Sequence, residues 1–133
     1  MVAMNIMTTC EIRNSCIDIL HKKVLEEVPI SREEYEFALL GWELEPIVMD
    51  GAQIAILLRC EHEVHIHLEK IYAFKYGRRL IIKYFKRDLG LLKYLTTTSK
   101  KDRHDGRFLE RLGFYKTNED DKFFYYRADQ SNF

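Results

Sequence analysis

The sequence predicts an α/β fold (α+β), in which about four helices pack on a mixed sheet of antiparallel strands with one parallel pair. Two observations carry this prediction. The spacing of apolar residues changes along the chain between the helical and the extended period, and one helix stands between two strands of an otherwise antiparallel series. The 133 residues, 47% of them apolar, suffice for one domain over 1–133. We expect residues 1–9 to be a flexible N-terminus.

Two helices come first. Apolar side chains recur at helical spacing over 15–28, and Pro29 ends this helix because proline lacks the backbone N–H that a helix interior needs. Ser31 and Glu34 then have the spacing of a capping box, which predicts a second short helix. Gly41 follows as its natural stop.

Three antiparallel strands follow the helices. Asp50 and Gly51 interrupt two extended segments, a pattern typical of a hairpin with a type I′ turn. Glu61 and His62 predict a second tight turn, which leads into a strand over 63–71. On that strand apolar residues alternate with Glu and His, so the polar residues share one face.

The C-terminal half alternates between helix and strand. A helix over 77–89 has an apolar stripe, and Gly90 is expected to end it. A strand over 91–98 is rich in threonine, a good strand former. Asp102 is expected to cap another helix, and a last hairpin turns around 119–121.

The neutral net charge hides a strongly basic segment. Residues 1–74 hold 13 acidic and 6 basic side chains, whereas residues 75–103 hold 10 basic and 2 acidic ones. Such a field attracts phosphate, from a nucleotide cofactor or from nucleic acid, and interleaved aromatic residues make single-stranded nucleic acid a candidate partner. The plainer interpretation is a solvated helix face with acidic neighbours.

Composition and motifs exclude several classes of protein. The 8 Phe, 8 Tyr and 1 Trp exclude intrinsic disorder. No apolar run approaches the ~20 residues of a membrane span, so no membrane partner is expected. Cys10, Cys16 and Cys60 lack CxxC spacing and indicate reduced thiols of a cytoplasmic protein. His65 and His67 have metal-ligand spacing, but two ligands on one strand are too few, and no metal is expected.

The C-terminal part resembles the GCN5-related N-acetyltransferase (GNAT) superfamily. Residues 106–114, GRFLERLGF, and the charged hairpin that ends at 125–127 look like the family's F-Y-x-K-L-G-F helix end and its last two strands. The helix that begins at Gly77 lies where the family's cofactor helix begins. Over residues 40–128 the resemblance implies a strand, a cofactor helix and a diverging parallel strand around an acetyl-CoA cleft.

The residues that serve cofactor and catalysis in this family are poorly preserved. Gly77 takes the last small position of the pyrophosphate loop Q/R-x-x-G-x-G/A, but Lys75 stands where its first glycine is expected. A lysine there hinders the close approach of backbone amides to a diphosphate. Tyr72 stands at the Gln/Arg position. Leu109 replaces the tyrosine that acts as general acid and cannot donate a proton.

These departures favour a non-catalytic GNAT-like protein that functions in protein interaction or assembly and binds no cofactor. Small proteins of tailed bacteriophages, among them internal virion and head-assembly proteins, are similar at 107–113, which implies the cytoplasm of a host cell. Protein partners or a second copy would bind the basic helix and the aromatic hairpin, which we expect to form a β edge. The expected interaction surface consists of Lys83, Lys86, Arg87, Phe123, Phe124, Tyr125 and Tyr126.

The alternative is an acetyl-CoA-dependent N-acetyltransferase with an atypical pyrophosphate loop. An amine must be neutral to attack a thioester, so a base is needed beside the cleft, and Glu63 or His65 is the candidate. A plainer interpretation of these two residues is a half-exposed polar strand face. The expected cofactor-binding residues are Lys75, Gly77, Arg78 and Arg79.

Overall fold

A computed structural model describes residues 8–103 and 105–132, with the side chains of 70–76, 78, 105 and 132 left out of the description. Helices cover both faces of one six-stranded sheet. The elements, in chain order, are α1 (Thr9–Val24), α2 (Arg32–Ala38), β1 (Glu43–Met49), β2 (Ala52–Cys60), β3 (Glu63–Leu68), α3 (Lys70–Leu92), β4 (Tyr94–Lys100), α4 (Asp105–Leu112), β5 (Tyr115–Glu119), β6 (Phe123–Asp129) and a 3-10 turn (Gln130–Asn132).

The sheet has the strand order β1-β2-β3-β4-β6-β5. Its strand pairs are antiparallel except for β3 and β4, which are parallel and are joined through the long helix α3. The predicted fold class is therefore confirmed, with four helices and one parallel strand pair in the described part of the chain. This parallel pair has a single register position, Glu63 opposite Thr96.

Two apolar cores lie on opposite faces of the sheet. Side chains on β2 alternate between them, because successive residues of a strand point to opposite sides. Leu57 belongs to the larger core under α3 and α4, where Leu89 and Leu95 are also almost fully buried. Ile56 belongs to the smaller core under α1 and α2, together with Ile17.

The N-terminal helices begin at side-chain caps. Ser31 Oγ accepts a hydrogen bond from the backbone N–H of Glu34, and the Glu34 carboxylate accepts one from Ser31, which confirms the predicted capping box. α1 covers Thr9–Val24 rather than 15–28, because Thr8 caps it early by accepting from the backbone N–H of Glu11. The segment expected to be flexible lies outside the described residues, apart from Thr8 and the first residue of α1.

Helix α3 begins well before its predicted start at Gly77. It follows β3 after a single residue, Glu69, and it continues through Gly90 to Leu92. Lys93 closes it in the left-handed conformation, with φ at 70°, by donating its N–H to the carbonyl of Leu89. The expected loop before Gly77 is therefore helical.

Gly77 has a packing role inside α3. A Cβ atom built on this residue would lie 2.9 Å from Cδ2 of Leu68, which is closer than side chains normally approach. The glycine thus lets α3 lie close to the end of β3. This close approach of α3 to β3 favours a residue without a side chain. The sequence had instead suggested that Gly77 lies beside a phosphate.

The last hairpin has its predicted position but not its predicted place in the sheet. Asp120 Oδ1 accepts the backbone N–H groups of Lys122 and Phe123 at 2.9 and 2.7 Å and so fixes the turn. β6 lies between β4 and β5, so the aromatic segment is not a β edge, and β5 is the edge on that side. α4 begins at Asp105, three residues beyond the predicted cap Asp102.

An ion-pair network fastens α3 to the first two strands. Asp88 is 1% exposed, and both of its carboxylate oxygens accept hydrogen bonds from the Arg59 guanidinium, at 2.8 and 2.9 Å. Arg87 donates two hydrogen bonds to Glu45 at 2.6 and 2.9 Å, and this contact holds the pKa of Glu45 below its usual range. Arg87, expected in a contact surface, thus ties α3 to β1.

No helix among the residues 8–103 and 105–132 is long and apolar enough to cross a membrane.

Replacement of Asp88 tests whether this network holds α3 in place. We expect Asp88→Ala to lower the free energy of unfolding by about 2 to 3 kcal/mol, because the mostly buried Arg59 loses its buried partner and keeps only the more exposed carboxylates of Glu43 and Glu45. Urea unfolding followed by circular dichroism measures the loss. Asp121→Ala, in an exposed turn, is the control and should change the free energy by less than about 0.5 kcal/mol. Equal stability of the two variants would contradict the assigned role.

Candidate functional site

A cleft opens where β3 and β4 diverge. The strands share one register pair near the start of β3, and the carbonyl of His62 accepts the N–H of Thr96 at 2.8 Å just before it. Beyond that point their C-terminal ends separate and leave a cavity of about 780 Å³. It is lined by Lys23, His65, Ile66, His67, Leu68, Ile81, Phe85, Thr97, Thr98, Ser99, Lys100, Arg103, Phe108, Leu109 and Phe123.

One wall of the cleft is apolar and comes from the helices. Ile81 and Phe85 of α3 and Phe108 and Leu109 of α4 form this wall. Leu109, predicted at the position of the family's general acid, does line the cleft and offers no proton there. An apolar wall with a few polar groups is the usual composition of a small-molecule site.

The polar groups of the cleft include an imidazole–carboxylate pair on β3. His65 Nε2 lies 2.6 Å from Oε2 of Glu63, and the His65 side chain is 31% exposed. When Nε2 carries the ring proton, its N–H group donates a hydrogen bond to Glu63. The lone pair of Nδ1 is then free to accept another proton. The structure therefore brings the two predicted base candidates together, with His65 in the cleft and Glu63 orienting it.

The indole ring of Trp42 packs against the imidazole ring of His65. The two ring centroids are 5.7 Å apart, and Arg13 of α1 donates to the carbonyl oxygens of Trp42 and Leu39 at 2.6 and 2.7 Å. α1 thus fixes the chain between α2 and β1, which in turn sets Trp42 against His65. Sequence reasoning missed both Arg13 and Trp42, since nothing in their local pattern points to the cleft.

His67 forms a second imidazole–carboxylate pair. Its Nε2 lies 3.3 Å from Oε1 of Glu69, the residue that precedes α3. His67 and His65 line the same cleft, as their alternation on β3 predicts. Among the described residues, which exclude His104, no three His, Cys, Asp or Glu side chains come together as a metal site.

The predicted cofactor-binding residues lie in the second and third turns of α3, which begins at Lys70. Gly77 is buried against Leu68, Arg79 is exposed, and the side chains of Lys75 and Arg78 lie outside the described residues. The side chain of Glu69, the N-cap residue of α3, makes no capping hydrogen bond, and N–H groups at a helix start can bind an anion. The apolar wall and this uncapped helix start fit the acyl arm and the diphosphate of acetyl-CoA.

A buried hydroxyl in the cleft lacks a hydrogen-bond partner among the described residues. Ser99 lines the cleft from β4, is 5% exposed, and its Oγ neither donates nor accepts a hydrogen bond. Burial without a partner costs free energy, so such a group is unusual in a folded protein. Only the alternation of β4 could have indicated Ser99 from sequence.

The rim of the cleft carries three cations and a bridging carboxylate. Glu27, in the turn after α1, accepts hydrogen bonds from Lys100 at the end of β4 and from Arg103 in the next turn. The contact with Lys100, more than that with Arg103, lowers the pKa of Glu27. Lys23 of α1 pairs with Glu26 at 3.0 Å.

The residues expected to form an interaction surface do not share one face. Lys83 and Lys86 are exposed on α3, whereas Tyr126 is 4% exposed and belongs to the larger core. Phe124 packs against the same core, and Phe123 lines the cleft. Successive residues of β6 point to opposite faces of the sheet, so these aromatic side chains do not form the single patch that was expected.

The splayed sheet, the connecting helix and the cleft define the fold of the GCN5-related N-acetyltransferases. The structure is similar to a spermidine N-acetyltransferase SpeG F149A mutant from Vibrio cholerae, with a TM-score of 0.70 and 12% identity over 89% of this chain and 92% of that one. It is also similar to the N-acetyltransferase PseH of Campylobacter jejuni, with a TM-score of 0.65 and 17% identity over 93% and 92% of the chains.

A third similar structure contains a bound cofactor. A Bacillus subtilis acetyltransferase in complex with CoA matches with a TM-score of 0.60 and 11% identity, over 74% of this chain and 84% of that one. No protein-family model and no curated protein matches the sequence. At these identities the similarity establishes the fold.

The expectation of a non-catalytic phage assembly protein is wrong. The similar structures are acetyltransferases, and none of those described above is a virion or head-assembly protein. The helix end and aromatic hairpin that suggested a phage protein are α4, β5 and β6 of the acetyltransferase fold itself. They therefore do not distinguish the two classes.

Replacement of Ser99 tests whether its hydroxyl is unsatisfied. We expect Ser99→Ala to raise the free energy of unfolding by about 1 kcal/mol in the absence of ligand, because the variant buries no unpaired polar atom. Thr98→Ala on the same strand is the matched control, and its half-buried side chain should give a small loss. A lower stability of Ser99→Ala than of the parent protein in urea unfolding would contradict this description.

Proposed function

We propose that the protein is an acetyl-CoA-dependent N-acetyltransferase in which His65 is the general base and Glu63 orients it. The pair of these side chains, 2.6 Å apart at the cleft between the splayed strands, carries the proposal. Three observations support it: a proton acceptor, an apolar cavity beside that acceptor, and a fold similar to that of known acetyltransferases.

The chemistry assigned to the chain is one proton transfer. His65 takes the proton of the attacking amine through Nδ1 while Nε2–H donates to Glu63. The amine nitrogen then bonds to the acyl carbon and the bond from that carbon to sulfur breaks. Acetyl-CoA supplies the acyl thioester. Leu109 cannot protonate the sulfur, so the sulfur leaves as a thiolate, and the proton that His65 took from the amine passes to it through solvent, which restores neutral His65.

The cofactor would lie along the apolar wall. Phe85 and Phe108 would pack against its flexible arm, and the uncapped start of α3 would face its diphosphate. Of the predicted set Lys75, Gly77, Arg78 and Arg79, we assign the charge contact to Arg79, whose side chain is exposed. Gly77 contributes through helix packing.

We further propose that the protein acts in the cytoplasm and self-associates. Cys10, Cys16 and Cys60 are all unpaired, as is usual for a reducing compartment. A structurally similar spermidine N-acetyltransferase from Vibrio cholerae is dodecameric, and a second copy of this chain is therefore the partner to test first. Light scattering after size exclusion gives the oligomer size directly.

Calorimetry tests cofactor binding. We expect acetyl-CoA to bind with a Kd in the micromolar range, about −8 kcal/mol at 1 µM. Arg79→Ala should weaken binding about tenfold, because it removes a charged hydrogen-bond donor to phosphate. Lys122→Ala, an exposed lysine in the last hairpin, is the control and should bind as the parent protein does. No heat at millimolar acetyl-CoA from folded protein would refute the proposed activity.

Kinetics test the base. With an amine panel and detection of released CoA thiol, we expect His65→Ala to lower kcat by about 10²- to 10⁴-fold and to leave the affinity for acetyl-CoA unchanged. His67→Ala, in the same cleft, is the matched control and should retain most of the activity. If His67→Ala abolishes turnover and His65→Ala does not, the assignment of the base is wrong.

A further inference from the structure

We propose that Lys100 and Arg103 form an anion-binding subsite at the cleft rim, and that the acceptor amine carries a carboxylate or phosphate group. The statement about the acceptor rests on the proposed function, whereas the subsite itself does not.

The two side chains already hold an anion in the structure. Each donates to a different oxygen of the Glu27 carboxylate: Lys100 Nζ contacts Oε2, and Arg103 Nη2 contacts Oε1 at 3.0 Å. A carboxylate held by both cations shows that their spacing suits a planar anion. Glu27 comes from the turn after α1, so it reaches the rim from outside the cleft.

The subsite is on the face of the sheet that carries His65. Side chains of β4 alternate, with Leu95 in the larger core and Lys100 on the opposite face. Glu63 and His65 are on that same face, because their neighbours across β2 include Leu58 of the smaller core. An amine that reaches His65 is therefore on the same face of the sheet as Lys100, while α3 lies on the other face.

The charge of the rim argues against a polyamine acceptor. Lys23, Lys100 and Arg103 line the cleft, and none of the described lining residues is a carboxylate. The two rim carboxylates, Glu26 and Glu27, leave one of these three positive charges uncompensated. A polyamine would therefore bring a second ammonium to a rim of net positive charge. This chain shares its fold with spermidine N-acetyltransferases, but its rim is suited to a substrate of the opposite charge.

Glu27 can exchange with a ligand anion because its contacts are exposed. The side chains of Glu27, Lys100 and Arg103 are 48%, 39% and 50% exposed. Ion pairs this accessible contribute little to stability, so a ligand carboxylate can take the place of Glu27 at small cost. Glu27 therefore competes with the ligand for the subsite.

Titration with inorganic phosphate at constant ionic strength tests the subsite without any acceptor. Using the thermal unfolding midpoint, we expect Glu27→Gln to bind phosphate about two- to fivefold more tightly than the parent protein. Addition of Lys100→Gln and Arg103→Gln to that variant should weaken binding more than about tenfold. Addition of Lys122→Gln instead, at an exposed lysine of the last hairpin, is the control and should leave binding unchanged. Addition of Arg79→Gln reports any phosphate that binds at α3 instead of the rim.

Two results of the phosphate titration would overturn the proposal. One is the absence of any effect of phosphate on Glu27→Gln. The other is loss of the effect with Arg79→Gln but not with the pair at Lys100 and Arg103. Both results can be obtained even if acetyl-CoA does not bind. The experiment therefore distinguishes an absent anion subsite from an absent acetyltransferase activity.

A second titration tests the acceptor class. With CoA bound, which prevents turnover, the dipeptide Ala-Phe, its C-terminal amide and spermidine are compared by calorimetry. We expect the free carboxylate to improve affinity about fivefold over the amide, and Lys100→Gln with Arg103→Gln to abolish the difference. Binding of spermidine as tight as that of the dipeptide, or equal binding of dipeptide and amide, would overturn the assignment of an anionic acceptor.

Discussion

The site depends on one constraint, namely that β3 and β4 pair at a single position and then separate. Adjacent parallel strands normally continue to exchange backbone hydrogen bonds along their length. Here the pairing is limited to Glu63 and Thr96, and the cavity of about 780 Å³ occupies the gap. Phe85 and Phe108 line this gap, so apolar side chains replace part of the missing contact between the strands. The cleft is thus a property of the sheet.

The contacts around the cleft each keep one of its walls in position. The buried Asp88 and its partner Arg59 fasten the C-terminal half of α3 to β2, and Gly77 lets the N-terminal half lie against Leu68. On the other face α1 positions the chain beside His65. Residues remote from the reaction therefore determine where the base stands relative to the apolar wall, and their loss should affect geometry before it affects chemistry.

Local sequence patterns predicted the features that depend on residues close together in the chain. They did not predict the contacts that depend on the order of strands in the sheet. The capping box, the alternation of β3 and the closeness of Glu63 to His65 are local, and the structure has them. The start of α3 was missed because Gly77 was expected to begin the helix, whereas α3 begins at Lys70 and Gly77 packs against Leu68 within it. The rim was missed because Glu27 and Lys100 are 73 positions apart and meet only through the strand order.

The most direct test of the account is a crystal structure of the protein with CoA. We predict that the flexible arm of the cofactor lies between β3 and β4 against Phe85 and Phe108, with its sulfur on the side of His65. The two strands should keep the separation they have without ligand. CoA bound outside this gap, or β3 and β4 paired along their full length, would contradict the central claim that the splayed strands form an acyl-transfer site.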